Sequence, residues 1–223
     1  MAETTGLTRG AWISAYALAL IPAIPLLHGS VIAARGCATT RLLALGGAVA
    51  ALGFLLALLA LPENLGGGSG VLLSLANIFR IVAGAFLGIS LARYVGSTGV
   101  VLLIAAVAVA SDLISVFAGP TKALVEKESP VLDLLLLVFP TFGSPFGFGL
   151  GVSDFVFLAL FAAASRFLRL RYLATLLCVC FATFLALTTG LLLERPLPAI
   201  PFVALGFVLV NVDLILASIT KRS

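Results

Sequence analysis

Long apolar segments dominate the pattern of hydrophobic and polar positions along this chain. A membrane-spanning helix needs roughly 20 mostly apolar residues. Segments of about this length run over residues 11–34, 42–61, 71–94, 98–118, 151–168, 172–193 and 198–218. Lipid offers the backbone no hydrogen-bond partners, so helices are the plausible spans, and the alternation of a transmembrane barrel is absent from the sequence. The pattern predicts an all-α protein with about seven transmembrane helices.

Composition places the chain in a membrane. Of its 223 residues, 62% are hydrophobic and 10% are charged, and its mean hydropathy is +1.26. Soluble domains carry about 25% charged residues, so a surface this apolar must face lipid. The basic residues that give the net charge of +4 sit between the spans, a distribution typical of membrane topology rather than of nucleic-acid binding. No zinc spacing is present among the three cysteines, and no metal or organic cofactor is implied.

The longest connection between spans, residues 119–150, has an apolar centre. Its segment LLLLVF (134–139) is too short to span and is followed by several prolines and glycines. Such a segment predicts a buried strand-like or re-entrant structure.

Lysine and arginine counts in the connections predict the orientation of the chain. One side holds Arg35, Arg41, Arg93, Arg166, Arg169, Arg171, Lys221 and Arg222. The other side holds Arg9, Lys122, Lys127 and Arg195. This bias predicts a cytoplasmic C-terminus and an outside N-terminus.

Four ionisable side chains fall inside or at the ends of the spans: Arg80, Asp112, Asp154 and Asp213. Each costs about 2.5–3.5 kcal/mol on insertion scales, so each raises a functional hypothesis. Asp213 lies near a helix end and favours a structural ion pair, and Arg80 also favours a structural role. The single histidine, His28, is expected to be hydrogen-bonded within the structure.

Asp112 and Asp154 suggest a catalytic pair. The first ends one span and the second opens the next, and these two ends of consecutive antiparallel helices lie on the same side of a membrane. Two carboxylates at close range share a proton, because both cannot ionise cheaply. Such a pair activates a water molecule and protonates a leaving nitrogen, as in aspartic proteases. A proton relay and two separately solvated carboxylates are the alternatives.

Small residues and prolines surround these aspartates in the sequence. GLGVSD (149–154) has only small residues at 149, 151 and 153, which let another backbone approach closely. RPLPAIPF (195–202) has three prolines at the start of the last span. Prolines interrupt a helix and leave backbone groups without helical partners, so this segment is expected to shape a site or to pair with an extended substrate.

These three segments together resemble the presenilin and signal-peptide-peptidase group of GxGD intramembrane aspartyl proteases, in particular its short prokaryotic members. In that family a Tyr-Asp motif ends one helix, Gly-x-Gly-Asp opens the next, and Pro-Ala-Leu begins the last. SDLISVFAGPTKALVE (111–126) resembles the first region, LLLLVFPTFGSPFGFGLGVSDFVF (134–157) the second, and LPAIPF (197–202) the third. Serines replace the tyrosine at 111 and a glycine at 153, and isoleucine replaces the leucine at 200.

The resemblance implies an intramembrane aspartyl protease in the plasma membrane of a prokaryote, built as a presenilin-like bundle. Asp112 and Asp154 would be catalytic, and the residues shaping the site would be Gly151, Ser153, Pro198, Ala199 and Ile200. An N-terminal three-helix membrane region, 1–97, would precede a catalytic membrane region, 98–223. The expected partners are transmembrane or signal-peptide substrates and the lipid bilayer, without nucleic acid, and the oligomeric state stays open.

Other functions fit the same aspartates. A proton-coupled transporter would use them as a relay, but transporters usually spread polar residues over several spans and often show an internal repeat. A prepilin peptidase also uses a GxGD-type aspartate and fits the Pro-Ala motif less well. The serines at 111 and 153 are compatible with an inactive relative that binds helices.

Overall fold

The computed structural model of the protein describes residues 23–34, 38–60, 69–118, 136–138, 149–193 and 197–220. The helices in this part of the chain are α1 Ala23–Ala33, α2 Thr39–Ala60, α3 Ser69–Ala92, α4 Thr98–Ala118, α5 Val152–Phe167, α6 Tyr172–Leu193 and α7 Ile200–Thr220. They coincide with the seven predicted segments, which confirms the all-α membrane fold. Residues 11–22 of the first predicted span lie outside the described residues.

Four of the described helices are long and apolar enough to cross a membrane: α3, α4, α6 and α7. Helix α5 has 16 residues and is therefore roughly 24 Å long, shorter than a hydrocarbon core of about 30 Å. Its C-terminal end turns directly into α6.

Helix α5 lies at the centre of the bundle, and its residues from Leu158 to Ser165 are all buried. Helix α3 packs on α5 and is covered by α2, whereas α6 packs on α5 and α7. Helix α7 also contacts α4. In the core, Phe161 of α5 stacks on Phe207 of α7, with 5.1 Å between their ring centroids.

A glycine allows α3 and α5 to approach each other closely. A Cβ atom built on Gly88 would lie 2.8 Å from the Cβ of Ala159 and 2.9 Å from the backbone nitrogen of Leu160, and it would also collide with the carbonyl oxygen of Val156. Small residues permit such contact between membrane helices, where packing rather than hydrophobic burial holds helices together.

A short hairpin precedes α5. Strand β1 (Leu136–Val138) pairs antiparallel with strand β2 (Gly149–Gly151), with Leu136 opposite Gly151. Of the two structures predicted for LLLLVF, the structure shows the strand over its described residues, 136–138. Residues 139–148 lie outside the described residues. Strand β2 continues without a break into α5, so the extended backbone ends immediately before the helix that bears Asp154.

The other ionisable side chains predicted to have structural roles, outside the Asp112 and Asp154 region, have partners in the structure. Asp213 forms an ion pair with Arg171, at 2.6 Å between Nη2 and Oδ2. The basic residues that follow Asp213 in the sequence, at positions 221 and 222, lie outside the described residues. The buried Arg80 donates to the side-chain oxygen of Asn77 at 3.4 Å. His28 Nδ1 lies 2.9 Å from the hydroxyl of Tyr172.

Candidate active site

Asp154 is placed by the first turn of α5. It is the third residue of the helix, and its Oδ2 accepts a hydrogen bond from the N–H of Gly151 at 3.0 Å. This is one half of a capping box, in which an acidic residue reaches back to the residue preceding the helix. A negative charge in the first turn also interacts favourably with the helix dipole. The side chain is only 9% exposed, so Asp154 is a nearly buried carboxyl group.

Gly151 leaves space in front of this carboxyl group. A Cβ atom built on Gly151 would lie 3.3 Å from Oδ2 of Asp154 and 3.0 Å from Oγ of Ser153. Any larger residue would therefore crowd the carboxylate. Ser153 itself is exposed, which places it at the open side of the site.

Asp112 lies in α4, six residues before the helix ends at Ala118. This separation places it roughly 9 Å from the end of the helix, at 1.5 Å per residue. Its side chain is half-buried, and its Oδ2 accepts a hydrogen bond from the N–H of Ile200 at 3.0 Å. This bond joins α4 to the start of α7, 88 residues further along the chain.

The proline-rich segment supplies the donor for that bond. Helix α7 begins at Ile200, and the carbonyl of Ala199 accepts from the N–H groups of Phe202 and Val203 at 3.1 and 3.2 Å. The first N–H groups of a helix have no partner within the helix, and here the N–H of Ile200 finds the carboxylate of Asp112. Pro198, Ala199 and Ile200 are all buried. The proline-rich segment therefore contacts Asp112 through the N–H of Ile200.

The two carboxylates also lie close enough together for the charge of Asp112 to act on Asp154. Each one accepts a hydrogen bond from a backbone N–H at a helix start, Gly151 for Asp154 and Ile200 for Asp112. The structure thus brings the predicted site residues together from β2, α4, α5 and α7. His28 contacts Tyr172 at the other ends of the helices and is not part of this site.

A second glycine of α3, not singled out from the sequence, supports the turn that carries Asp154. A Cβ atom built on Gly84 would lie 3.3 Å from the Cβ of Phe155 and 3.4 Å from the carbonyl oxygen of Val152. Gly84 and Gly88 form a G-x-x-x-G pattern in an apolar helix, a known sign of close helix contact. That pattern was the signal in the sequence for this contact.

Within the described part of the chain, no group of three or more His, Cys, Asp or Glu side chains is placed to hold a metal ion.

No protein-family model matches the chain, and no curated protein or solved structure matches it either. The family resemblance therefore depends on the three motifs and on the geometry of the site that they form.

Proposed function

We propose that this protein is an intramembrane aspartyl protease that hydrolyses peptide bonds within transmembrane or signal-peptide helices. Asp112 and Asp154 are the catalytic pair. The observation that carries the proposal is the hydrogen bond from the N–H of Ile200 to Asp112, which lies within electrostatic range of Asp154. The three segments that contain these residues carry the resemblance to the GxGD proteases.

In this mechanism the pair holds a single proton. The ionised carboxylate removes a proton from a water molecule, whose oxygen attacks the carbonyl carbon of the peptide bond. The protonated carboxyl then donates its proton to the leaving nitrogen, and the carbon–nitrogen bond breaks. The products are a carboxylic acid and an amine. The N–H groups of Gly151 and Ile200 orient the two carboxylates throughout.

The depth of the site supports cleavage inside the membrane. Asp112 lies well within α4, and α5 is too short to reach both surfaces. Asp112 is therefore roughly 9 Å below the end of α4, at 1.5 Å per residue. A substrate helix that lies in the bilayer meets the carboxylates at that depth.

A helical substrate must unfold locally before its peptide bond is accessible. The hairpin offers a place for the unfolded segment, because β2 runs directly into the turn that bears Asp154. An extended peptide that adds to the edge of a strand gains main-chain hydrogen bonds. The space in front of Gly151 and the exposed Ser153 lie beside this strand.

The proposal includes a location and an orientation. We place the protein in the plasma membrane of a prokaryote, with its N-terminus outside and its C-terminus in the cytoplasm. The positively charged ends of α3 and α5 support this orientation, since basic connections tend to remain in the cytoplasm. Asp154 lies at the opposite end of α5 and Asp112 lies near the C-terminal end of α4, both towards the outside in this orientation. The extended substrate must run past the two carboxylates in one direction, so the orientation of the enzyme sets the orientation of its substrates. In this orientation we expect a preference for substrates with a cytoplasmic N-terminus, such as signal peptides.

The test compares Asp112→Asn and Asp154→Asn with the native protein, purified and incubated with a single-span substrate. Asparagine keeps an acceptor oxygen for the N–H groups of Ile200 and Gly151, so both variants should fold. Each should lose on the order of 10²–10⁴ in cleavage rate, because acid–base chemistry requires both carboxyls. The rate of the native protein should pass through a maximum with pH.

Asp213→Asn is the matched control. It removes a carboxylate of α7 that is paired with Arg171 away from the site, and it should cleave normally. Full activity in either site variant would refute the catalytic pair. Proton uptake by proteoliposomes that needs both aspartates, without cleavage, would favour the transporter. Binding of the substrate without cleavage by the native protein would favour an inactive relative.

A further inference from the structure

The turn between α5 and α6 holds an arginine in a conformation that arginine rarely adopts. Arg169 has a φ of 57°. The N–H of Leu170 donates to the carbonyl of Ser165 at 2.7 Å, and the N–H of Arg169 donates to that of Arg166 at 3.3 Å. This pair of bonds is the Schellman motif, whose left-handed residue is usually glycine. A side chain with a Cβ atom is strained in this conformation, so a function of its guanidinium would explain why arginine is present.

This turn belongs to the positively charged end of the bundle. Most of the described basic residues lie here: Arg41, Arg93, Arg166, Arg169 and Arg171. The described carboxylates are Asp112 and Asp154 at the other end and Asp213 at this one. Asp213 is engaged by both Nη atoms of Arg171, at 2.9 and 2.6 Å. Among the described residues, no carboxylate forms an ion pair with Arg166 or Arg169.

The surroundings of the turn combine this charge with an aromatic ring and apolar side chains. The guanidinium of Arg166 lies 4.8 Å from the ring centroid of Tyr172. Phe167 is 39% exposed and Leu173 is 60% exposed, on either side of the turn. Tyrosine is enriched at the level of lipid headgroups. A phospholipid is complementary to this arrangement, because its anionic phosphate lies above apolar acyl chains.

We propose that Arg166 and Arg169 bind the phosphate headgroup of an anionic phospholipid at the α5–α6 turn. The planar guanidinium groups suit phosphate oxygens, which they contact through paired N–H donors. A phospholipid, rather than free phosphate, is the ligand because its acyl chains cover Phe167 and Leu173. The site is independent of the proposed protease activity.

The experiment measures thermal unfolding of the purified full chain in detergent, with added phosphatidylglycerol or phosphatidylcholine. Phosphatidylglycerol should raise the unfolding temperature of the native protein more than phosphatidylcholine does. Arg169→Gly should unfold at a higher temperature in phosphatidylcholine, because glycine relieves the left-handed strain. The same variant should bind phosphatidylglycerol about fivefold more weakly, the effect expected of one basic side chain near an anionic surface.

Two further variants separate charge from shape. Arg169→Lys should retain most of the preference for phosphatidylglycerol, whereas Arg41→Gln, an exposed arginine on α2 at the same end, should reduce it less than Arg169→Gly does. Equal stabilisation of the native protein by both lipids would overturn the proposal. The proposal would also be overturned if Arg169→Gly kept the full preference of the native protein for phosphatidylglycerol. Stabilisation by inorganic phosphate equal to that by phosphatidylglycerol would show that a lipid is not the ligand.

Discussion

Gly88→Ala tests the contact that positions the helix bearing Asp154. The new methyl group would lie 2.8 Å from the Cβ of Ala159, whereas ordinary van der Waals contact begins at 3.4 Å. The helices α3 and α5 must therefore separate locally by about 0.6 Å to accommodate that contact alone. The clashes with the backbone of Val156 and Leu160 are harder to relieve, because backbone atoms cannot rotate away as a side chain can.

The expected loss of stability follows from two opposing effects. Overpacking of a well-packed interface costs about 1–3 kcal/mol. Replacing glycine by alanine inside a helix contributes about 0.5–1 kcal/mol in the other direction. We expect Gly88→Ala to reduce the free energy of unfolding by about 1–2 kcal/mol. Gly47→Ala is the matched control, since nothing lies within 4 Å of its added methyl group, and it should stabilise the protein slightly.

The assay is unfolding in detergent with increasing denaturant, followed by cleavage of a single-span substrate. Separation of α3 from α5 moves Asp154 relative to Asp112, which is held by α7. A misplacement of about 1 Å reduces a rate by roughly 10²-fold, so Gly88→Ala should lose activity even under conditions where it is folded. If Gly88→Ala is as stable as Gly47→Ala, the close approach of the two helices is wrong.

Two further predictions concern the site and the orientation. Ser153→Gly should preserve or raise the cleavage rate, and Ser153→Leu should block cleavage. The reason is that the exposed position beside Asp154 must admit the substrate backbone. Equal cleavage rates in the two variants would contradict this. A reporter that is active only in the cytoplasm, fused after Ser223, should be active, and activity of an outside-specific reporter at the same position would reverse the proposed orientation.

Several features of the site were predictable because they depend on local composition. Asp154 was expected at a helix start, and the glycines before it indicated a close approach of backbone. The role of LPAIPF was predicted in outline, since proline interrupts a helix and leaves backbone groups to be satisfied elsewhere. Which group would satisfy the N–H of Ile200 was not predictable, because the partner lies 88 residues away in the chain.

For the charged residues, too, the sequence predicted a general role but not the specific partner or conformation. That Asp213 would pair was expected from the cost of a lone charge near a membrane, but its partner is Arg171 of the α5–α6 turn and was not identified beforehand. The left-handed conformation of Arg169 was not anticipated, because its sequence has no glycine to indicate a Schellman turn.

The sequence by itself determined the membrane class of the protein, the number and positions of its described helices, and the two aspartates that we propose as a catalytic pair. Apolar segments must form helices in lipid, where backbone groups have no other partners, and that requirement acts segment by segment. Only the tertiary structure decided which helices touch and which donors reach which carboxylates. The contact between α3 and α5 and the bond from Ile200 to Asp112 join segments that are distant in the chain. Such contacts depend on the packing of complementary surfaces, and no local pattern of polarity encodes them.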